Sequence, residues 1–190
     1  MHASRSISLT KFVSLRSEHV FAQSFWIVTF VAFTAIGAQL EIATRPVPYT
    51  LQTLFVILAG ALLGSRRGAL SMLLYLGVGA LGFPVFASGG LGLAKLIGPT
   101  GGYLLAFPLA AYATGVLVSR AQHIGWTVVA MMAGMMIIFA CGSLFLYTFY
   151  LHNLSQSLMS GFFIFSFWDG LKIAAAVAIY RQFRPHQLQK

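Results

Sequence analysis

The sequence has very few charged residues and almost no acidic ones. Of its 190 residues, 12 are Lys or Arg and only three are Asp or Glu, which makes 8% charged, against about 25% in a soluble domain. Hydrophobic types make up 58%, and a globule of this size has too much surface to hide them from water. The sequence therefore predicts an integral membrane protein.

Cysteine and intramembrane histidine are scarce as well. The single cysteine, Cys141, lies in an apolar stretch, which excludes an intrachain disulfide and a cysteine metal cluster. No histidine lies well inside a predicted span, since all five are near span ends or in loops, where they do not suit a serine hydrolase or a pair of haem ligands. Neither H-E-x-x-H nor an aspartyl pair within the spans is present. We expect no catalytic residue, metal or cofactor.

Charge-free runs divide the chain into six predicted transmembrane helices, because a helix needs about 20 residues to cross about 30 Å of hydrocarbon. The last run, Ala121–Tyr180, is interrupted only by Asp169 and Lys172 and is long enough for two helices. The helices are predicted near residues 20–40, 49–65, 68–84, 101–119, 125–149 and 163–181. Between the second and third, Gly64–Gly68 are predicted to form a tight turn.

The basic residues support six crossings and predict cytoplasmic N and C termini. Nine of them fall on one side of this arrangement and two on the other, which agrees with the positive-inside rule. The nine are Arg5, Lys11, Arg16, Arg66, Arg67, Arg120, Arg181, Arg184 and Lys190, and the two are Arg45 and Lys95. This bias also accounts for the net charge of +9, so no nucleic-acid partner is expected.

The domain prediction follows from this topology. Residues 1–190 form one membrane domain. It consists of a cytoplasmic N-terminal segment at 1–19, a six-helix bundle at 20–181 and a cytoplasmic tail at 182–190. The lipid bilayer is therefore the first partner that the sequence implies.

Two prolines precede the second predicted helix. Pro46 and Pro48 favour an extended backbone before a helix start. Thr50, Gln52 and Thr53 then bring hydrogen-bonding groups to the outer mouth of the helix. These groups either cap an ordinary helix start or bind a ligand.

A glycine-rich stretch, Phe83–Tyr103, follows the third predicted helix. Non-helical backbone at membrane depth is tolerated only where it is buried or lines a cavity. Its glycine pattern matches neither a dinucleotide-binding loop nor a phosphate loop. The stretch is either a lid or binding loop, or a plain external connector.

Asp169 and Lys172 are ionisable residues within the last predicted helix. Their i, i+3 spacing brings carboxylate and ammonium to one face of a helix. If Arg181 marks the cytoplasmic boundary, Asp169 lies about 18 Å from it, in the outer half of the bilayer. Charges there must face the protein interior or water. The pair is either a functional site or a structural ion pair.

Three small-residue motifs allow helices to approach closely. They are Gly60-x-x-x-Gly64, Thr34-x-x-x-Ala38 and Ala130-x-x-x-Gly134. Such motifs serve internal packing in most cases, and one of them could instead contact a partner helix.

Taken together, these segments resemble the BioY family, the biotin-recognising S components of energy-coupling factor (ECF) transporters. The likeness covers residues 30 to 180, and the order of the motifs makes it specific. The motifs are Gly37-Ala38-Gln39, Val47–Thr53, Leu63–Gly68, Gly82–Ala87, Gly98–Tyr103 and Asp169-x-x-Lys172. The resemblance implies an all-α S-component fold of six transmembrane helices in a bacterial cell membrane, with a biotin pocket that opens outward beneath the loops.

The resemblance also implies site residues. Asp169 and Lys172 would contact biotin, because a carboxylate accepts from a ureido N–H and an ammonium donates to a carbonyl or carboxylate. Apolar walls for the ring and the valeryl chain would come from aromatic side chains. The remaining candidates are Tyr49, Phe86, Tyr103 and Trp168 as walls, and Gln52 and Ser88 as polar contacts.

The implied function is biotin uptake by a protein that is not an enzyme. Its implied partners are the ECF T component and two ABC-type ATPase subunits, although members similar to this one also work without the ATPase module. Thr34-x-x-x-Ala38 is the nearest match to the Ala-x-x-x-Ala motif with which S components contact the T component. The alternatives are an S component or facilitator for another vitamin, and, from another class, an intramembrane enzyme or assembly subunit.

Overall fold

The computed structural model describes residues 20–44, 47–161 and 167–183. The predicted N-terminal segment at 1–19 and the tail beyond residue 183 lie outside these ranges. The helices are α1 (Val20–Gln39), α2 (Gln52–Leu63), α3 (Ser65–Ala80), α4 (Gly92–Ile97), α5 (Gly101–Ser119), α6 (Ile124–Leu146), α7 (Leu154–Gly161) and α8 (Phe167–Phe183). Strands β1 (Glu41–Ile42) and β2 (Tyr49–Thr50) pair antiparallel in the connection between α1 and α2.

Six of these helices correspond to the six predicted ones, and α4 and α7 are short additions. Within the described ranges, three helices are long and apolar enough to cross a membrane: α1, α5, and α6 together with the π-helical turn Tyr147–Leu151 that extends it. Helices α2, α3 and α8 have 12, 16 and 17 residues, fewer than the roughly 20 of a typical crossing helix. The molecule is a helical membrane protein, and six crossings stay a prediction.

The turn between α2 and α3 is shorter than the sequence predicts. Gly64 alone makes it, with a φ of +84°, in the left-handed region that glycine adopts at little cost. Residues 65–68, predicted to belong to the turn, form the first turn of α3 instead. The Gly64–Gly68 prediction is therefore wrong in its length, because one left-handed residue suffices to separate the helices.

Helix α5 is packed against α2, α3 and α6, and two of these contacts require glycine. A Cβ on Gly60 would overlap the carbonyl oxygen of Ala111, and a Cβ on Gly115 would overlap the backbone of Ser65. Backbones approach this closely where one of the two residues has no side chain. The small residue Gly60 of the first motif thus serves internal packing.

The Thr34-x-x-x-Ala38 motif also lies inside the bundle. Both residues are 0% exposed. The Thr34 hydroxyl donates to the Phe30 carbonyl at 2.8 Å and lies 3.9 Å from the sulfur of Met72 on α3. In this arrangement α3 covers this part of α1. Contact of Thr34 and Ala38 with a partner subunit stays a prediction.

Candidate ligand-binding site

The glycine-rich stretch after α3 forms an ordered cover over one end of the bundle. It contains a 3₁₀ turn at Ala87–Gly89 and then helix α4, so it is more regular than a loop. Phe86 and Gly90 pair as an isolated antiparallel bridge. The Phe86 ring is fully buried and packs where a Cβ on Gly79 of α3 would lie. The cover is therefore anchored to the bundle through Phe86.

A pocket lies beneath this cover. The space between its lining residues, including its opening to solvent, is about 680 Å³. Its lining comes from β2 and the two residues before it, from α2, from the cover with α4, and from α5, α6 and α8. Every long helix except α1 and α3 therefore contributes to one cavity.

The wall of the pocket carries a buried ion pair. The Lys172 ammonium donates to Asp169 Oδ1 at 2.9 Å, with side-chain exposures of 9% and 1%. Lys172 Nζ also lies 3.4 Å from the Thr53 hydroxyl of α2. Asp169 sits in the first turn of α8, where the helix dipole favours a negative charge. The prediction that the two side chains share one helix face is confirmed.

Tyr49 of β2 lies close to this pair. The pKa of its phenol is raised above the ordinary value, mainly by partial burial and further by the negative charge of Asp169. The phenol therefore stays protonated at neutral pH. It offers the pocket a hydrogen-bond donor as well as an aromatic ring.

Gln52 holds the pocket together through its amide group. Its Oε1 accepts from the Thr50 hydroxyl at 2.9 Å, and its Nε2 donates to the Tyr75 phenol at 2.5 Å. Tyr75 in turn donates to the Val85 carbonyl at 2.9 Å. This chain of hydrogen bonds joins β2, α2, α3 and the cover. Its central residue, Tyr75, was not identified from the sequence, since only the fold brings it to Gln52.

A second group of hydrogen bonds ties the cover to the end of α1. The Gln39 amide donates to the Phe86 carbonyl at 3.0 Å and accepts from the Gly89 amide at 3.2 Å. Ser88, in the left-handed region with a φ of 57°, donates to Glu41 Oε1 at 2.5 Å. The side chain of Ser88 is thus bonded to the α1–α2 connection.

The structure brings most of the predicted site residues together. Those that line the pocket are Tyr49, Gln52, Phe86, Tyr103, Asp169 and Lys172. Ser88 lines an adjoining cavity instead. Trp168 is 53% exposed and is not among the pocket residues, because consecutive helical residues point about 100° apart and Asp169 already faces inward.

Lys95 is a pocket residue that the sequence reasoning used only for topology. It lies on α4 and lines both the main pocket and the adjoining cavity, together with Pro48 and Thr100. The adjoining cavity has a more polar lining, which includes Thr44 and Ser88. Lys95 therefore stands at the passage between the two. The usable signal was its position as the only cation in the glycine-rich stretch.

The pocket is apolar, contains a buried ion pair and lies inside a bundle of apolar helices suited to a bilayer. This combination defines a membrane protein that binds a small molecule. Within the described ranges, no cluster of three or more His, Cys, Asp or Glu could hold a metal ion. Residues 10–188 match the BioY family. The chain belongs to the BioY family, and it is a transport component rather than an enzyme.

Named relatives agree with this assignment over most of the chain. The biotin transporter BioY of Thermotoga maritima is 36% identical over 161 residues, which are 85% of this chain and 95% of the relative. The probable biotin transporter BioY of Pyrococcus horikoshii is 40% identical over 153 residues, 80% and 90% of the two chains.

A solved structure gives the fold. The crystal structure at 2.1 Å of the S-component for biotin from an ECF-type ABC transporter matches with a TM-score of 0.78 at 26% identity. The match covers 86% of this chain and 91% of that one. The S-component fold predicted from the sequence is confirmed.

Proposed function

We propose that this chain is the biotin-binding S component of a bacterial uptake system, which captures biotin outside the cell membrane and delivers it inward. The observation that carries the proposal is the Asp169–Lys172 pair in the pocket wall. A buried ion pair is costly in a membrane protein, and this one lines the pocket beneath the cover.

The chemistry of the pair suits a cyclic urea. Biotin's ureido group offers two N–H donors and one carbonyl acceptor. Asp169 accepts from an N–H, and Lys172 donates to the carbonyl. A ligand with both functions replaces the contact between the two ions without leaving either of them unpaired, whereas a ligand with only one function does not.

The rest of the pocket suits the remainder of the molecule. Tyr49, Phe86 and Tyr103 supply aromatic surface for the bicyclic ring, and Phe107 with Ile138 closes the floor. The valeryl carboxylate points toward Lys95, the cation at the passage to the adjoining cavity. Gln52 acts by positioning β2 and the cover through Thr50 and Tyr75.

Equilibrium binding to the purified chain tests the substrate. Labelled biotin is titrated against the full chain in detergent, and other vitamins serve as competitors. We expect saturable binding that unlabelled biotin displaces and the other vitamins do not. Binding of a different vitamin in preference to biotin would assign the same pocket to that vitamin and overturn the biotin proposal.

All six long helices cross the membrane in this proposal, and both termini lie in the cytoplasm. Arg66, Arg67, Arg120 and Arg181 adjoin helix ends opposite the pocket, whereas Lys95 lies at the pocket end. A Cys141→Ala background allows single-cysteine reporters. An impermeant thiol reagent outside intact cells should label Leu91→Cys and not Arg67→Cys, and the reverse pattern would invert the topology.

Partner dependence follows from the same assignment. The proposed partners are a T component and two ABC-type ATPase subunits, which supply the ATP hydrolysis. Uptake of labelled biotin in cells that lack these subunits, compared with cells that have them, measures the dependence. Equal uptake in both would mean that the chain works alone.

A further inference from the structure

The adjoining cavity continues the ligand pocket toward the α1–α2 connection and the cover. The space between its lining residues, including its opening to solvent, is about 710 Å³. Pro48, Lys95 and Thr100 line both cavities, so the two spaces meet along these three side chains. The rest of the adjoining cavity includes Ala43 and Thr44 of the connection and Ser88 of the cover.

The two cavities differ in the chemistry of their walls. The main pocket is lined by five aromatic rings and several aliphatic side chains, with the ion pair among them. The adjoining cavity is lined by eight described residues, of which three carry a hydroxyl, one carries an ammonium and none is aromatic. A molecule that occupies both cavities is therefore mostly apolar in its first part and polar beyond the passage.

Two cation or donor groups at the passage are available to a ligand. Among the described residues, the only ion pair is the one in the pocket wall, so the Lys95 ammonium has no carboxylate partner there. Thr100 stands at the N-cap position of α5, yet its hydroxyl makes no capping hydrogen bond. A carbonyl oxygen at the passage can therefore accept from Thr100, and an anionic group farther out is attracted to Lys95.

The outer wall of the adjoining cavity offers acceptors instead. The Thr44 hydroxyl donates to the Val47 carbonyl at 2.6 Å. The Ser88 hydroxyl donates to Glu41. Both hydroxyl protons are thereby engaged, which leaves the two oxygens as acceptors. An N–H or ammonium group beyond the passage can therefore be bound by Thr44 and Ser88.

We propose that the adjoining cavity is a subsite for the tail of a longer ligand, and that the chain also binds biotin whose carboxyl group carries a polar, amide-linked extension. The amide carbonyl accepts from Thr100, and the extension passes Pro48 and Lys95. Its polar end lies against Thr44 and Ser88. The inference rests on the proposed function, since the ring system of the ligand takes the same main pocket.

Biocytin is the probe for this subsite. It joins the carboxyl group of biotin to the side-chain amine of lysine, so its extension is aliphatic first and ends in an ammonium and a carboxylate. Biotin amide is the reference ligand, because it lacks the carboxylate of biotin but has no extension. Comparing these two separates the fit of the extension from the loss of the charge.

Ala43 is the position at which the subsite can be filled selectively. It is exposed and lines the adjoining cavity but not the main pocket. Ala43→Phe places a ring in the path of the extension and leaves the lining of the main pocket unchanged. Ile42→Phe is the matched control, because Ile42 is the exposed neighbour in β1 and lines neither cavity.

The three ligands are measured by competition with labelled biotin on the full chain in detergent. We expect the wild type to bind biocytin within about tenfold of its affinity for biotin amide. In Ala43→Phe, the affinity for biocytin should fall a further tenfold or so, while biotin and biotin amide stay within about twofold of wild type. Ile42→Phe should leave all three affinities within about twofold.

A wild-type affinity for biocytin more than about tenfold below that for biotin amide would overturn the subsite. This comparison needs no variant, so it holds even where Ala43→Phe does not fold. An equal loss for all three ligands in Ala43→Phe would also overturn it, and so would no loss for biocytin, since the extension would then project into solvent without touching the wall. Failure of the wild type to bind biotin would instead defeat the proposed function.

Discussion

Around the pocket, buried polar side chains are held by hydrogen bonds between different elements, whereas farther along the bundle α2, α3 and α5 touch through glycine. At the first end, Gln52 and Tyr75 join a strand, two helices and the cover. At the second, the backbone at Gly60 meets that of Ala111 directly. The first region is held by hydrogen bonds that a bound ligand can rearrange. The second is held by close packing of the backbones alone. Substitutions should therefore separate affinity from stability.

The largest effect is expected at the ion pair. Asp169→Ala should weaken biotin binding by about 2–5 kcal/mol, because Lys172 is left buried and unpaired. Isothermal titration of the purified chain measures it. The double variant Asp169→Ala, Lys172→Ala should cost less than the sum of the single variants, since neither ion remains alone. Near-native affinity in both single variants would remove the pair from the site.

A stability effect without an affinity effect is expected at Gly60. Gly60→Ala should lower the free energy of unfolding by about 1–3 kcal/mol, because its Cβ meets a backbone carbonyl that cannot rotate away. Binding per folded molecule should stay the same. Gly77→Ala is the control, since a Cβ there has open space, and it should stabilise α3 by about 0.5–1 kcal/mol. Equal stability of the two variants would contradict the close contact.

Tyr75→Phe tests whether the chain of hydrogen bonds through Gln52 and Tyr75 contributes to both stability and biotin affinity. It removes the acceptor of Gln52 and the donor to Val85. Both stability and biotin affinity should fall, each by about 1–2 kcal/mol, as chemical denaturation and titration would measure. The exposed Tyr112 provides the control variant Tyr112→Phe. A loss of stability alone would mean that the cover keeps its position without Tyr75.

The smallest effect is expected at Lys95, at the mouth of the pocket. Lys95→Met should weaken biotin binding by less than about 1 kcal/mol, because a partly exposed charge is screened by water. It should leave the binding of biotin amide, which has no carboxylate, unchanged. Competition binding with the two ligands measures the difference. An equal loss for both would show that Lys95 contributes contact area and not charge.

The sequence was a good guide where one physical rule dominates. Charge-free runs located the six long helices, with α1 and α5 within one residue of their predicted bounds. The i, i+3 rule found the Asp169–Lys172 pair, since the two residues lie on one helix. At Gly64–Gly68, ending the predicted helices at the charged residues gave a turn that is too long, because α3 accepts Arg66 and Arg67 in its first turn.

Contacts between distant segments could not be predicted in the same way. Tyr75 reaches Gln52 and Val85 only after α2, α3 and the cover assemble. Trp168 looked like a wall of the pocket because it adjoins Asp169 in sequence, yet the helix turns it outward. The small residues Thr34 and Ala38 favour a close helix contact, but the sequence does not tell whether the contacting helix is α3 or a partner.

The internal pairing of Asp169 with Lys172 has an electrical consequence. The two charges sum to zero. When the empty pocket changes the side of the membrane to which it opens, the pair therefore moves no net charge across the membrane potential. A lone ion crossing the full potential would do work of about 2.3 kcal/mol per 100 mV. The membrane potential therefore does no work on these two residues when the empty protein returns, and through them it neither speeds nor slows that step.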